Sequence, residues 1–135
     1  MTVVVDTSVA LAWFLPDESN SMADALLTQV VDNGAVVPAL FPVELGNALV
    51  MAVRRSRIDR DYRRLTFERL SQLGLKTDQG GDAWVREGAM ELADEHGLTL
   101  YDGIYLELAL RLELPLATLD KRLARAAATV GLLYG

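Results

Sequence analysis

Thr2-Val3-Val4-Val5-Asp6-Thr7-Ser8-Val9, at the head of the chain, joins a β-branched run to the start of a helix. The three valines show no polar alternation, the pattern of a strand buried on both faces in a parallel sheet. Asp6 ends the run. Thr7-Ser8 then offers an N-cap to the apolar segment 9–15, which Pro16 stops. The same succession recurs along the chain. Apolar spacing predicts helices from about Ser19 to Asp32, Phe41 to Ser56, Arg60 to Leu73, around Trp84 to Ala93, from Leu100 to Leu112, and from about Lys121 to Thr129. Strands are expected at Ala35–Pro38, Leu75–Thr77, Leu114–Thr118 and Leu132–Tyr134. Asn33-Gly34, Gly74 and Gly97 punctuate these elements, and Asp78-Gln79-Gly80-Gly81-Asp82 reads as a polar loop. Strands separated by helices throughout argue for an α/β fold, a parallel sheet with helices on both faces.

Composition narrows the class. The 135 residues suit one domain spanning 1–135, and 51% hydrophobic against 24% charged residues place the chain well away from disordered sequences. With no cysteine, a disulfide scaffold, a thiol nucleophile and Cys-based metal sites are excluded, and a reducing cytoplasm is the expected compartment. The apolar start is short, has no basic residue before it and meets Asp6 at once, so a signal peptide is not expected. No apolar stretch approaches the roughly 18 residues of a spanning helix, so no membrane association is expected. A net charge of −6 does not announce a nucleic-acid partner.

Ligands of such sheets bind beyond the carboxyl ends of the strands, where strand order reverses. Acids near those ends are therefore the candidates: Asp6 directly after the first strand, Asp120 two residues after Thr118, and Glu44 and Asp102 near helix starts. Four carboxylates in one crevice repel, each adjacent pair 4 Å apart costing about 4 kcal/mol at an effective dielectric near 20. A cation must balance them. Oxygen-only ligands favour Mg²⁺ or Mn²⁺ over zinc. Taken singly, Asp6 also reads as a helix cap and Asp102 as an acid favoured by a helix N-terminus. Glu44 is harder to dismiss, because its helix directs an apolar face into the core.

The residues around these acids add a pattern. Val4-Val5-Asp6-Thr7-Ser8-Val9, Pro42-Val43-Glu44-Leu45-Gly46-Asn47-Ala48-Leu49, Tyr101-Asp102-Gly103-Ile104-Tyr105 and Leu116-Ala117-Thr118-Leu119-Asp120-Lys121-Arg122-Leu123 follow in that order. Over essentially the whole chain this resembles the PIN-domain ribonucleases, and among them the VapC-type toxins of type II toxin–antitoxin pairs; the stretch through Trp13, Phe14, Asp17 and Glu18 looks similar too. The resemblance implies a three-layer α/β/α sandwich around a five-stranded parallel sheet. It further implies an Mg²⁺- or Mn²⁺-dependent endoribonuclease, a cognate VapB-like antitoxin and a homodimer. Asp6, Glu44, Asp102 and Asp120 match the family's acidic positions. Thr7, Ser8 and Thr118 match its hydroxyl positions, and Asn47 a polar position on the Glu44 helix. Gly103 departs from the alanine common there, at an expected loss of about 1 kcal/mol of helix propensity.

On that reading Asp6 and Asp102 ligate the metal directly, Asp120 and Glu44 complete the site directly or through water, and metal-activated water hydrolyses the phosphodiester with no nucleophilic side chain. The RNA substrate is reconciled with the acidic balance by position. Seven of the 13 basic residues fall between 54 and 69, a segment of net +4 against −10 for the remainder. Arg54 and Arg57 there, and Lys121 and Arg122 after Asp120, are the candidate RNA contacts. A solvated helix face with Arg–Glu pairs is the competing reading of the first group. His96 reads as a helix C-terminal residue, Asp17 and Glu18 as the opening of the second helix, and Trp13, Phe14 and Trp84 as core or partner-facing aromatics. The alternatives for the whole chain are a PIN-domain RNA-processing nuclease without an antitoxin, a receiver-like phosphoacceptor module, and a metal-silent interaction module. The receiver module lacks its acidic pair and its Lys here.

Overall fold

The computed structural model describes residues 2–80 and 82–135; Gly81, in the loop expected at 78–82, lies outside the described residues. The element order is β1 (Val4–Val5), α1 (Thr7–Phe14), a 3₁₀ turn (Pro16–Glu18), α2 (Ser21–Asn33), β2 (Ala35–Pro38), α3 (Leu40–Arg54), α4 (Arg60–Ser71), β3 (Leu75–Asp78), α5 (Ala83–His96), α6 (Leu100–Leu112), β4 (Leu116–Ala117) and α7 (Lys121–Thr129). The strands form a parallel sheet in the order β3-β2-β1-β4, with Val4 opposite both Val36 and Leu116.

This sheet has four strands among the described residues, where the family resemblance implied five. Leu132–Tyr134 does run beside β4, but only as an isolated parallel bridge between Leu133 and Leu116. Leu116 N–H donates to Leu132 O (2.7 Å) and Tyr134 N–H to Leu116 O (2.9 Å). Two bonds to one residue make an edge contact and no ladder, because β4 itself is only two residues long.

The pleat sorts the core. Val3, Val5, Ala35, Val37 and Ala117 face the helices α1, α2 and α3, whereas Val4 and Leu116 face α6 and α7. Alternate residues of β1 thus enter two hydrophobic clusters, one on each side of the sheet, which is what its unbroken valine run required. Each fully buried valine contributes on the order of 1.5–3 kcal/mol.

Several boundaries differ locally from the sequence expectation. The first helix begins at Thr7 and is capped by Asp6, whose extended backbone lets its carboxylate accept Val9 N–H (3.4 Å). Thr7-Ser8 is therefore inside the helix, and both hydroxyls serve other carboxylates. Asp17 and Glu18 do not open the second helix; they form the 3₁₀ turn, and Asn20 caps α2 through Met22 N–H and Ala23 N–H. His96 is the last residue of α5, followed by Gly97 in the left-handed conformation, as its C-terminal reading required. Phe14 is buried, Trp13 is half-buried with its indole N–H on Ala23 O (2.7 Å), and Trp84 is 64% exposed.

Gly103 has a packing reason. A Cβ there would stand 2.5 Å from Ala89 O and 3.4 Å from the Ala93 Cβ, so α6 and α5 approach too closely for any side chain at this position. The departure from alanine is not a simple loss of helix propensity; it is what allows this helix contact.

Candidate active site

Asp6 and Thr118 meet where the sheet changes direction. The chain leaves β1 toward β2 on one side and returns to β4 on the other, so the residues after β1 and β4 share the crevice between those strands. Asp6 is 5% exposed, and every donor around it comes from this junction. Ser8 Oγ donates to its Oδ1 (2.5 Å) and Thr118 Oγ1 to its Oδ2 (2.6 Å). Both hydroxyls are themselves held, Ser8 Oγ by Leu119 N–H (2.9 Å) and Thr118 Oγ1 by Asp120 N–H (3.0 Å). Burial pushes the Asp6 carboxyl up, opposed by the hydrogen bonds from Ser8, Thr118 and the Val9 amide. The result is a carboxylate fixed in orientation.

Glu44 has a second set of donors. Tyr105 OH donates to Glu44 Oε1 (2.7 Å), and Thr7 Oγ1 donates to the same oxygen (3.2 Å), the two hydroxyls standing 3.1 Å apart. Burial, with the anionic Glu44 beside it, raises the Tyr105 phenol above its ordinary value, so it remains a donor. Tyr105 is fully buried, and the sequence pattern contains it without giving it a role. Its place three residues after Asp102, on the same face of α6, is the signal that could have marked it.

Asp102, in the first turn of α6, is half-buried, and its pKa is pushed up to about 6 by desolvation, then by the charges of Asp120, Asp6 and Glu44. The other three sequence-selected acids therefore all act on Asp102. Among the described residues, every charged neighbour that moves Asp102 is an acid, and none offsets it. Asp120 is exposed and caps α7 through Leu123 N–H (2.9 Å), so it has a capping role beside its place in the cluster. Asn47 lies on α3 one turn beyond Glu44 and lines the cleft next to it.

The basic candidates separate. Arg57 is committed elsewhere: its Nη2 pairs with Asp17 Oδ1 (2.8 Å) and Glu18 Oε2 (2.9 Å), and its Nε donates to Asp17 Oδ2 (3.0 Å). It lies in the turn between α3 and α4, so these ion pairs are made off any helix face. Arg54 is exposed and lies about 15 Å along α3 from Glu44. Lys121 and Arg122 are exposed on the first turn of α7, directly after Asp120; Arg122 shares a cleft of about 340 Å³ with Arg125 and His96.

The family profile described as PIN domain matches residues 3–129. The chain belongs to the PIN-domain family. Within it, the sequence is similar to the VapC-type toxins: it is 31% identical over 124 residues to Ribonuclease VapC3 of Pyrobaculum aerophilum, covering 92% of this chain and 93% of that protein. It is also 33% identical over 101 residues to Ribonuclease VapC1 of Mycobacterium tuberculosis, covering 75% and 71%. Among solved structures, PAE2754 from Pyrobaculum aerophilum has the same PIN fold, with a TM-score of 0.73 at 23% identity over 93% of this chain and 84% of that one. A toxin–antitoxin complex from Klebsiella pneumoniae matches at 0.66 and 17%, covering 98% and 96%.

The chemistry of this PIN domain's donor set fits a hard divalent cation. It offers oxygen only, it concentrates uncompensated negative charge, and two of its carboxylates are oriented by hydroxyls, as ligating carboxylates are. Among the described residues, however, no group of three or more acidic or histidine side chains has the placement of a formed metal site. Hydroxyl donors take up both oxygens of Asp6 and Oε1 of Glu44. No helix among the described residues is long and apolar enough to cross a membrane.

Proposed function

We propose that this PIN-domain chain is the toxin of a type II toxin–antitoxin pair and an endoribonuclease that hydrolyses RNA phosphodiester bonds with Mg²⁺ or Mn²⁺. The observation that carries the reading is that the charges of Asp120, Asp6 and Glu44 all reach Asp102, which is pushed up to about 6 by its desolvation and by them, with no cationic side chain among the groups that shift it. The relatives named as VapC ribonucleases support the reaction class. The similarity to the Klebsiella toxin–antitoxin complex supports a VapB-like antitoxin as partner, and a homodimer belongs to the same reading.

Asp6 and Asp102 would hold the cation, with Asp120 and Glu44 completing the set. When bound, the cation would supply Lewis-acid polarisation of the scissile phosphate and of the attacking water, with charge stabilisation as the phosphorus adds a fifth oxygen. The protein's own part is orientation. Ser8 and Thr118 hold the Asp6 carboxylate against rotation, one hydroxyl on each oxygen, and Tyr105 with Thr7 anchors Glu44 by Oε1. Glu44 Oε2 carries no protein hydrogen bond among the described residues and is open to a water or to the substrate. Lys121 and Arg122, exposed directly after Asp120, would contact the RNA backbone and add local positive potential on an acidic protein.

Asp6→Asn and Asp102→Asn proteins, shown to be folded, should lose RNA cleavage in Mg²⁺ or Mn²⁺ by at least two orders of magnitude. Chelation should stop the wild type. Sequencing RNA 5′ ends after brief expression, with Asp6→Asn as control, should reveal new ends only for the wild type; cleavage at wild-type rates by either variant would overturn the assignment.

A further inference from the structure

A cleft of about 450 Å³ opens beside Glu44 and Thr7, and apart from those two residues the proposed hydrolysis assigns its lining no role. Leu40, Val43 and Asn47 of α3 form one wall at helical spacing, Tyr101 in the first turn of α6 faces them, and Thr7 and Glu44 close the end shared with the acidic cluster. The cleft and the hydrolytic site are therefore one continuous surface with two chemistries.

Two features of that surface point to a ligand. Val43 is 69% exposed and Tyr101 57% exposed, large apolar groups left open directly beside a charged site. Tyr101 is also unlike the other tyrosines. Tyr62 hydrogen-bonds Phe14 O, Tyr105 bonds Glu44 and Tyr134 bonds Gln29, whereas no group among the described residues bonds Tyr101. Asn47 is exposed on the same wall with no protein partner among those residues, and its amide offers both donors and an acceptor.

Building on the ribonuclease reading, we propose that this cleft is a nucleobase pocket: one base next to the cleaved phosphodiester stacks on the Tyr101 ring against Val43 and Leu40, and Asn47 reads its edge. The covalent structure of RNA supports a base as the occupant. Any phosphodiester brought to Asp6 and Asp102 carries a nucleoside on each side, and the cleft adjoining Glu44 is open to one of them. Single-stranded bases are recognised in this way, by a ring stacked on an aromatic side chain and an edge hydrogen-bonded to an amide. The cleft would thus set the base preference of the cut, while the acids set its chemistry.

The test uses the Asp6→Asn chain in Mg²⁺, so that binding is read without cleavage. Fluorescently labelled single-stranded RNA oligonucleotides are compared by anisotropy with a series in which each, at one position, keeps its ribose but lacks its base. At one position the missing base should weaken binding about tenfold. Adding Tyr101→Ala should weaken the intact oligonucleotide equally and abolish the penalty at that position; Tyr101→Phe should retain it, and Asn47→Ala should alter the preference among the four bases there. A merely structural Tyr101 would lower intact and abasic binding alike, which would overturn the proposal, as would the absence of a Tyr101-dependent penalty at every position. The two readings fail separately. Wild-type protein that cuts no RNA while the Tyr101-dependent penalty persists would overturn the ribonuclease reading and leave the base pocket standing; cleavage without any such penalty would overturn the pocket alone.

Discussion

Replacing Gly103 by alanine sets helix propensity against packing, and the structure decides which wins. An exposed Gly→Ala change inside a helix gains about 1 kcal/mol, partly by reducing the freedom of the unfolded chain. Gly103 is buried, and its added Cβ would lie 2.5 Å from Ala89 O, against ordinary contact from 3.4 Å outward. The obstacle is a backbone carbonyl of α5, so α5 and α6 must move apart by about 0.9 Å, the difference between those separations. Overpacking of this kind costs about 1–3 kcal/mol, at the upper end when backbone has to shift. We expect Gly103→Ala to be less stable by about 1–2 kcal/mol net. For a domain of this size the melting temperature falls by about 3–8 °C. Denaturant titration with far-UV circular dichroism, alongside a thermal scan, measures it. An unchanged or raised stability would show that α5 withdraws cheaply and would refute the packing argument.

Other consequences follow from the site. Asp102 has a folded pKa of about 6 against 3.8, so its charge is penalised in the fold: its contribution to stability is fully present below pH about 4 and is lost as pH rises through 6. Discounted for solvent at a half-buried group, this amounts to about 1 kcal/mol, so the wild type should lose that much relative to Asp102→Asn between pH 4.5 and 7 without divalent cation; parallel curves would contradict it. Thr118→Val leaves the buried Asp6 with one donor fewer and strands Asp120 N–H, and should cost about 1–3 kcal/mol in chemical denaturation and raise the Asp6 pKa further, as read by carboxyl NMR titration. Arg122→Ala should lower the salt slope of RNA binding by about one, whereas Arg57→Ala, whose guanidinium is occupied by Asp17 and Glu18, should leave it unchanged. Tyr105→Phe should reduce cleavage while the fold persists, because Glu44 keeps only the longer bond from Thr7.

Local patterns carry much of this. The unbroken valines before Asp6 demanded a strand covered on both sides, and spacing within single helices located Glu44 and Asp102, because the pleat and the helical repeat are properties of neighbouring residues. The acids after β1 and β4 were also legible, since the ends of parallel strands are where such sheets bind. What sequence spacing did not carry was the pairing of groups far apart in the chain. Tyr105 reaches Glu44 across 61 residues, and Arg57 pairs with a turn 39 and 40 residues away. Gly103 is required by a helix that packs against it from outside its own element, and the expected fifth strand shrinks to one bridge because β4 offers it a single residue. Periodicity states which face of an element is apolar; only the packed chain states what that face meets, at what distance, and which charge has already found its partner.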